Sequence, residues 1–160
     1  MKRVNHILQN PQFRQLIERI NELEKNRLYC RHDLAHLLDV ARLAYIISLE
    51  NQAKIDKEVI YAAALLHDVG KVDQYLYGIP HELGSARIAP DIWQEAGYSQ
   101  EEIKLMTEAV LCHRKQTAPK GKSLKSILYM ADKKSRACFS CKMEATCGWS
   151  ASKKNRQLKY

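Results

Sequence analysis

Ala62-Ala63-Ala64-Leu65-Leu66-His67-Asp68-Val69-Gly70-Lys71 sets an imidazole, a carboxylate and an ammonium at the end of a dense apolar run. Such a run reads as a buried helix. Burying His67 and Asp68 without partners costs several kcal/mol, so a metal ion or a hydrogen-bond network should meet them there. His36, His81, His113 and Asp132 each fall near the end or inner face of a different helix or turn. Convergence of that many nitrogen and oxygen donors suits a divalent transition metal such as Zn, Mn, Fe, Ni or Co. Spacing alone does not pair them, and any one of them can equally serve as a core histidine or a capping carboxylate.

A second set of donors lies near the C-terminus. Cys138, Cys141 and Cys147 form a C-x2-C-x5-C cluster, one thiolate short of a closed tetrahedral zinc site. Cys30 or a histidine could supply the fourth ligand of an extra zinc. An iron-sulfur cluster and a redox pair are further readings, beside three free cysteines in a loosely packed tail. Five cysteines, an odd number, argue against a disulfide scaffold.

The 160 residues fit one domain, long enough to bury a core without disulfides. Hydrophobic residues at 46% with 28% charged describe a soluble protein, and no apolar run approaches the roughly 20 residues a membrane helix needs. The stretch after Met1 has no apolar signal core, which places the protein in the cytoplasm. Net charge is +8 but unevenly spread: residues 114–160 carry 13 bases against Asp132 and Glu144, residues 1–113 another 13 bases against 16 acids. A basic C-terminal third suggests an anionic partner, a phosphorylated small molecule before nucleic acid, unless it is simply a solvated tail. No membrane partner is expected, and oligomeric state is not legible.

Helices must position these groups. Asn10-Pro11 begins the first, with Phe13, Leu16, Ile17, Ile20 and Leu23 on its inner face, and residues before it, His6 included, are expected to be mobile and exposed. A long helix follows from about Leu28 to Glu50, which would put His32 and His36 on one face, with His32 in a noncatalytic role. Asp56 caps the helix that delivers His67 and Asp68, and Gly70 should end it in the left-handed conformation. Residues 75–80 read as a loop, and Pro90 should split the next helix into segments near 81–88 and 90–96. Ser99 and Glu102 form a capping box for the helix ending at His113. A Pro- and Gly-containing loop over residues 115–122 precedes a helix capped by Ser123 with Asp132 at the end of its apolar stripe. No strand alternation of useful length and no internal repeat is present. The fold class is all-α.

Ala64 to Lys71 resembles the signature of the HD superfamily of metal-dependent phosphohydrolases. His36 in His36-Leu37-Leu38-Asp39-Val40-Ala41 resembles its upstream histidine motif, and Ala131-Asp132-Lys133 its downstream aspartate motif. The resemblance implies a single-domain helical bundle over residues 28–136, with residues 1–27 packed on it and 137–160 a basic cysteine-containing tail. It also implies a metal held by His36, His67, Asp68 and Asp132. His81-Glu82-Leu83-Gly84-Ser85-Ala86 and Val110-Leu111-Cys112-His113 are similar to segments of HD proteins with two further histidines, nearest the HD-type symmetrical diadenosine tetraphosphate hydrolases. There His81 and His113 would bind a second ion and Asp68 would bridge the two. Arg114-Lys115-Gln116-Thr117 departs from the His-Thr-rich stretch of those hydrolases.

The resemblance thus implies a hydrolase cleaving a phosphoester or phosphoanhydride bond of a nucleotide or other small phosphorylated metabolite. Asp68 and Lys71 would carry catalysis with one or two ions, and Lys71, Arg114 and Arg31 would meet phosphate oxygens. The rivals are a phosphodiesterase on nucleic acid and a noncatalytic ligand-binding module stabilised by metal.

Overall fold

Side-chain caps decide where most of the helices begin. In the computed structural model, which describes residues 1–114, 121–158 and 160, the elements are α1 (Lys2–Gln9), α2 (Pro11–Leu23), α3 (Leu34–Glu50), α4 (Lys57–Leu66), α5 (Lys71–Tyr77), α6 (His81–Glu95), α7 (Gln100–Cys112) and α8 (Leu124–Lys134). Asn10, Asp33, Asp56, Ser99 and Ser123 each accept a hydrogen bond from a first-turn backbone N–H of the helix that follows. Ser99 and Glu102 complete the reciprocal capping box. Beyond α8 the chain makes one 3-10 turn, Cys138–Ser140. Among the described residues the fold is all helical, and no helix is long and apolar enough to cross a membrane.

The bundle is built around α4. Its residues Val59, Ile60 and Ala62 to Leu66 are all buried, because it packs against α1, α3, α6, α7 and α8. A helix that is apolar all round belongs in the centre, and its three consecutive alanines keep neighbouring axes close. Trp93 on α6 is fully buried and donates its indole N–H to the Ala62 carbonyl at 3.1 Å. At the opposite end from His67, the Arg3 guanidinium bonds Glu58, Glu102 and Asp56, pinning α1 to the first turns of α4 and α7.

Several boundaries differ from the sequence reading, each for a physical reason. Residues 2–9 form a helix, since Val4 and Ile7 are buried in the core; His6 on its outer side is exposed, as expected. The long helix starts at Leu34, where Asp33 caps it, so His32 precedes α3 instead of lying one turn back along it. Residues 75–77 extend a short helix, and only residues 78–80 form the connection. Pro90 sits inside a continuous α6. Its fixed φ suits a helix, and Ile88, Ala89, Ile92 and Trp93, all buried, hold both sides through the one missing hydrogen bond. Residues 115–120 of the expected loop lie outside the described residues.

Gly70 is right-handed, with φ −68°, so conformational freedom does not explain it. Space does: a Cβ there would lie 2.2 Å from the His81 carbonyl oxygen and 2.3 Å from Ser85 N. The Gly70 N–H donates to Ser85 Oγ at 2.8 Å, closing the turn after His67-Asp68 onto α6. Gly70→Ala is expected to destabilise the protein by about 3 kcal/mol or more, because backbone must move. Gly78→Ala, at φ 70° with open space around it, should cost only about 1 kcal/mol. Urea denaturation of the two variants checks the contrast; equal losses would refute the packing account.

Candidate metal centre

Two groups of buried ligand atoms meet on one carboxylate. His36, His67, Asp68 and Asp132 bring donor atoms within 4.8 Å of one another, and so do Asp68, His81 and His113. His36 comes from the first turn of α3 and Asp132 from the last turn of α8, while His67 and Asp68 follow α4. His81 opens α6 and His113 closes α7. Asp68 faces both groups: Oδ2 lies 3.2 Å from His67 Nε2 and 3.6 Å from His36 Nε2, and Oδ1 lies 3.1 Å from His81 Nε2 and 3.6 Å from His113 Nε2.

The proton positions follow from the other ring nitrogens. His67 Nδ1 donates to the Ala64 carbonyl at 2.6 Å and His113 Nδ1 to the Val110 carbonyl at 2.5 Å. His81 Nδ1 is bonded to Gln74 Oε1. The Nε2 atoms therefore point inward, those of His81 and His113 only 3.1 Å apart. In neutral imidazoles these are two lone pairs facing each other, an arrangement that a cation relieves.

Buried polar atoms make the same demand. His67 Nε2 and Asp68 Oδ1 are buried without a hydrogen-bond partner, a cost of about 1–3 kcal/mol each. Burial alone would lower the His67 pKa, but Asp68 and Asp132 push it up to about 10. Burial opposes ionisation of Asp68 and Asp132 too, yet the surrounding imidazoles hold both well below the usual carboxylate range. Burial pulls His81 down to about 4 despite Asp68, leaving it neutral at pH 7. The centre thus calls for positive charge between its carboxylates, and neutral imidazoles with carboxylates are a donor set that divalent transition metals accept.

Neighbouring side chains fix the ligands. Lys133 Nζ bonds Asp132 Oδ2 at 2.6 Å, turning Oδ1 toward His36 and His67. Arg136, buried, donates to the Arg31 carbonyl at 2.9 Å and to His36 Nε2 at 3.0 Å, a lone pair it would have to yield to an ion held there. His32 is buried, with Nε2 3.9 Å from Asp68 Oδ2 and Nδ1 2.5 Å from Glu24 Oε1. Glu24 also accepts from the His32 backbone N–H and the Tyr75 hydroxyl. Spacing gave no sign of Glu24 or Arg136. One clue existed for Glu24, since an acid closing a helix opposes the helix dipole.

A cavity of about 450 Å³ opens over the centre. Lys71, buried and lowered in pKa by that burial, lines it beside His32, Asp68 and Asp132. Arg114 lines it too, half exposed and paired with Glu82 at 3.1 Å. Arg31 is not among the lining residues; its guanidinium donates to the Lys25 carbonyl, and Arg27 and Arg136 supply the guanidinium groups on that side. Cys30, Cys138, Cys141 and Cys147 also line the cavity.

Glu24 gives a pH prediction. Burial raises its pKa, but the His32 hydrogen bonds bring it from 4.5 down to about 2. A lowered folded pKa means the ionised carboxylate stabilises fully above pH 4.5, and that contribution is lost as pH falls through about 2. Glu24→Gln should cost about 1–3 kcal/mol at pH 7. Denaturation across the acid range should show the gap to wild type constant above pH 4.5 and closing below it; a gap that widens in acid would contradict the assignment.

The HD domain family matches residues 33–144, a span that holds both ligand groups. An uncharacterized protein of Clostridium beijerinckii is 41% identical over 160 residues, covering 100% of both chains. A predicted HD superfamily hydrolase from an uncultured Thermotogales bacterium, solved by crystallography, shares the fold with a TM-score of 0.62 at 22% identity, over 91% of this chain and 82% of that one. Because the family match takes in most of the chain and the fold agrees with it, the chain belongs to the HD domain family.

Proposed function

We propose that this protein is a metal-dependent hydrolase of phosphoester or phosphoanhydride bonds in a nucleotide or other small phosphorylated metabolite, working with two ions that share Asp68. The observation that carries the reading is the division of the Asp68 oxygens, Oδ2 toward His36 and His67 and Oδ1 toward His81 and His113. Divalent ions bound there would supply a water ionised near neutral pH and charge neutralisation for phosphate oxygens.

The chain's own groups do the rest. His36, His67 and Asp132 would hold one ion and His81 with His113 the other, their ring orientations set by Ala64, Val110 and Gln74. Lys71 lines the same cavity as Asp68, where it would meet charge that develops on a phosphate oxygen. Arg114, on the same cavity, would add to it. The cavity is lined by more basic than acidic groups, which favours an anionic ligand, and its concave form and volume favour a small molecule over a polymer. The finer likeness, to hydrolases of dinucleoside tetraphosphates, sets the order of substrates to try. Free cysteines suit a reducing cytosol as the place of action.

Turnover of a nucleotide panel with Mn, Fe, Ni and Co tests the class of reaction. Asp68→Ala should lose both ions by elemental analysis and all activity, whereas His81→Ala should lose one ion and at least tenfold in turnover. Anomalous scattering from crystals grown without chelator should show two peaks within about 4 Å. A fully loaded Asp68→Ala protein with unchanged turnover would refute the assignment.

A further inference from the structure

The C-terminal segment poses a folding problem that the histidine centre does not solve. From residue 137 on, no described residue is buried, and among the described residues there the only regular structure is the turn Cys138–Ser140. Ordering a residue costs on the order of 1 kcal/mol in backbone entropy alone, and this segment has no apolar core to offset it. Short pieces of chain in that position are held by disulfides or metals. No disulfide is present; all five cysteines are free.

Four of them converge. Cys30, Cys138, Cys141 and Cys147 line the same cavity, and the fifth, Cys112, at the end of α7, does not. Cys30 is tied to the tail on both flanks: the Tyr29 hydroxyl donates to the Thr146 carbonyl at 3.3 Å, and Arg136 donates to the Arg31 carbonyl at 2.9 Å. Between these ties the tail turns every three residues. Cys141 N–H donates to the Cys138 carbonyl, Glu144 to that of Cys141 and Cys147 to that of Glu144, so the three cysteines follow one another along successive tight turns. The Cys30 thiol is pushed up by burial, pulled down by Arg136, and raised again by the thiols of Cys138, Cys141 and Cys147.

The spread of the sulfurs selects the occupant. Among the described residues, groups of three or more His, Cys, Asp or Glu ligand atoms close to within 4.8 Å occur only at the histidine centre. One zinc with four thiolates at about 2.3 Å would hold its sulfurs roughly 3.8 Å apart. No three of the four thiols close even to within 4.8 Å of one another, and C-x2-C occurs once here, where closed zinc sites commonly use two such pairs. A four-iron cube bound by four cysteines seats its thiolates across the whole width of the cube. We propose that Cys30, Cys138, Cys141 and Cys147 hold a [4Fe–4S] cluster that fastens the C-terminal segment over the cavity. On binding, each thiol releases its proton, and the four thiolates with the doubly positive cube make a dianion. Arg136, Lys153 and Lys154 line the same cavity and offset that charge. The role is structural and involves no electron transfer: the cluster keeps Trp149, Lys153 and Lys154 in the lining of the cavity that Lys71 and Asp68 share.

The test is independent of hydrolysis. The full chain, purified without oxygen and reconstituted with ferrous iron and sulfide, should carry about four acid-labile sulfides per chain and a broad visible absorbance that bleaches on reduction. Sulfide distinguishes this iron from any iron at the histidines. Asp68→Ala should keep the sulfide, and Cys30→Ser and Cys141→Ser should each lose it with helicity unchanged. If those variants fail to fold, the wild-type sulfide content still decides. Protein that holds one zinc and no sulfide, or no sulfide after reconstitution, overturns the cluster; wild-type sulfide in Cys30→Ser overturns the fourth ligand.

Discussion

The buried Asp68 carboxylate is the constraint around which the molecule is arranged. Its burial would be prohibitive without opposite charge, and four imidazoles stand around its two oxygens. Without a cation the nearest remedy is a proton on His67, which is why that imidazole is pushed up to about 10. Protons and metal ions therefore compete for the same place. Metal uptake must expel a proton from His67, and affinity must rise with pH as that proton becomes easier to remove.

Meeting this demand dictates the surrounding architecture. Two consecutive residues of a regular helix point about 100° apart, so His67 and Asp68 can face one centre only where α4 has ended. The turn that follows is pressed against α6 at Gly70 and Ser85, and α6 places His81 at its first position. The closeness of that contact carries the second group of donors to the carboxylate from the side opposite α3 and α8. Central burial of α4 makes the end of the helix rigid, and the cavity supplies the opening that a ligand needs.

The all-α class and most of the caps were legible because their signals are local, whereas the grouping of the donors came from the family resemblance, since spacing alone does not pair them. An apolar run ending in His67-Asp68 announces a buried polar pair, and Asp132 at the foot of an apolar stripe does the same. Glu24 and Arg136 were not legible, since each acquires its role only from residues brought close by the fold: His32 and Tyr75 for one, His36 and Arg31 for the other. The sequence marks Gly70 for a left-handed conformation that it does not adopt, because sequence cannot tell a glycine needed for φ from one needed for space. The helices α1 and α5 escaped notice because, at eight and seven residues, they owe their form to packing more than to propensity. Pro90 was given too much weight, as burial on both sides outweighs one absent hydrogen bond.

His67 and His113 share one further trait. Each is the residue that ends its helix, and each turns Nδ1 back to the carbonyl three positions earlier. Carbonyls in the last helical turn run short of backbone partners, and that of Val110 receives only a long bond from the His113 N–H at 3.4 Å. The imidazole is thus fastener and ligand at once, and the bond that keeps the helix from fraying is the bond that aims the lone pair. Selection on either property acts on both, so at these two positions the chain has no route to altered chemistry that leaves the scaffold untouched.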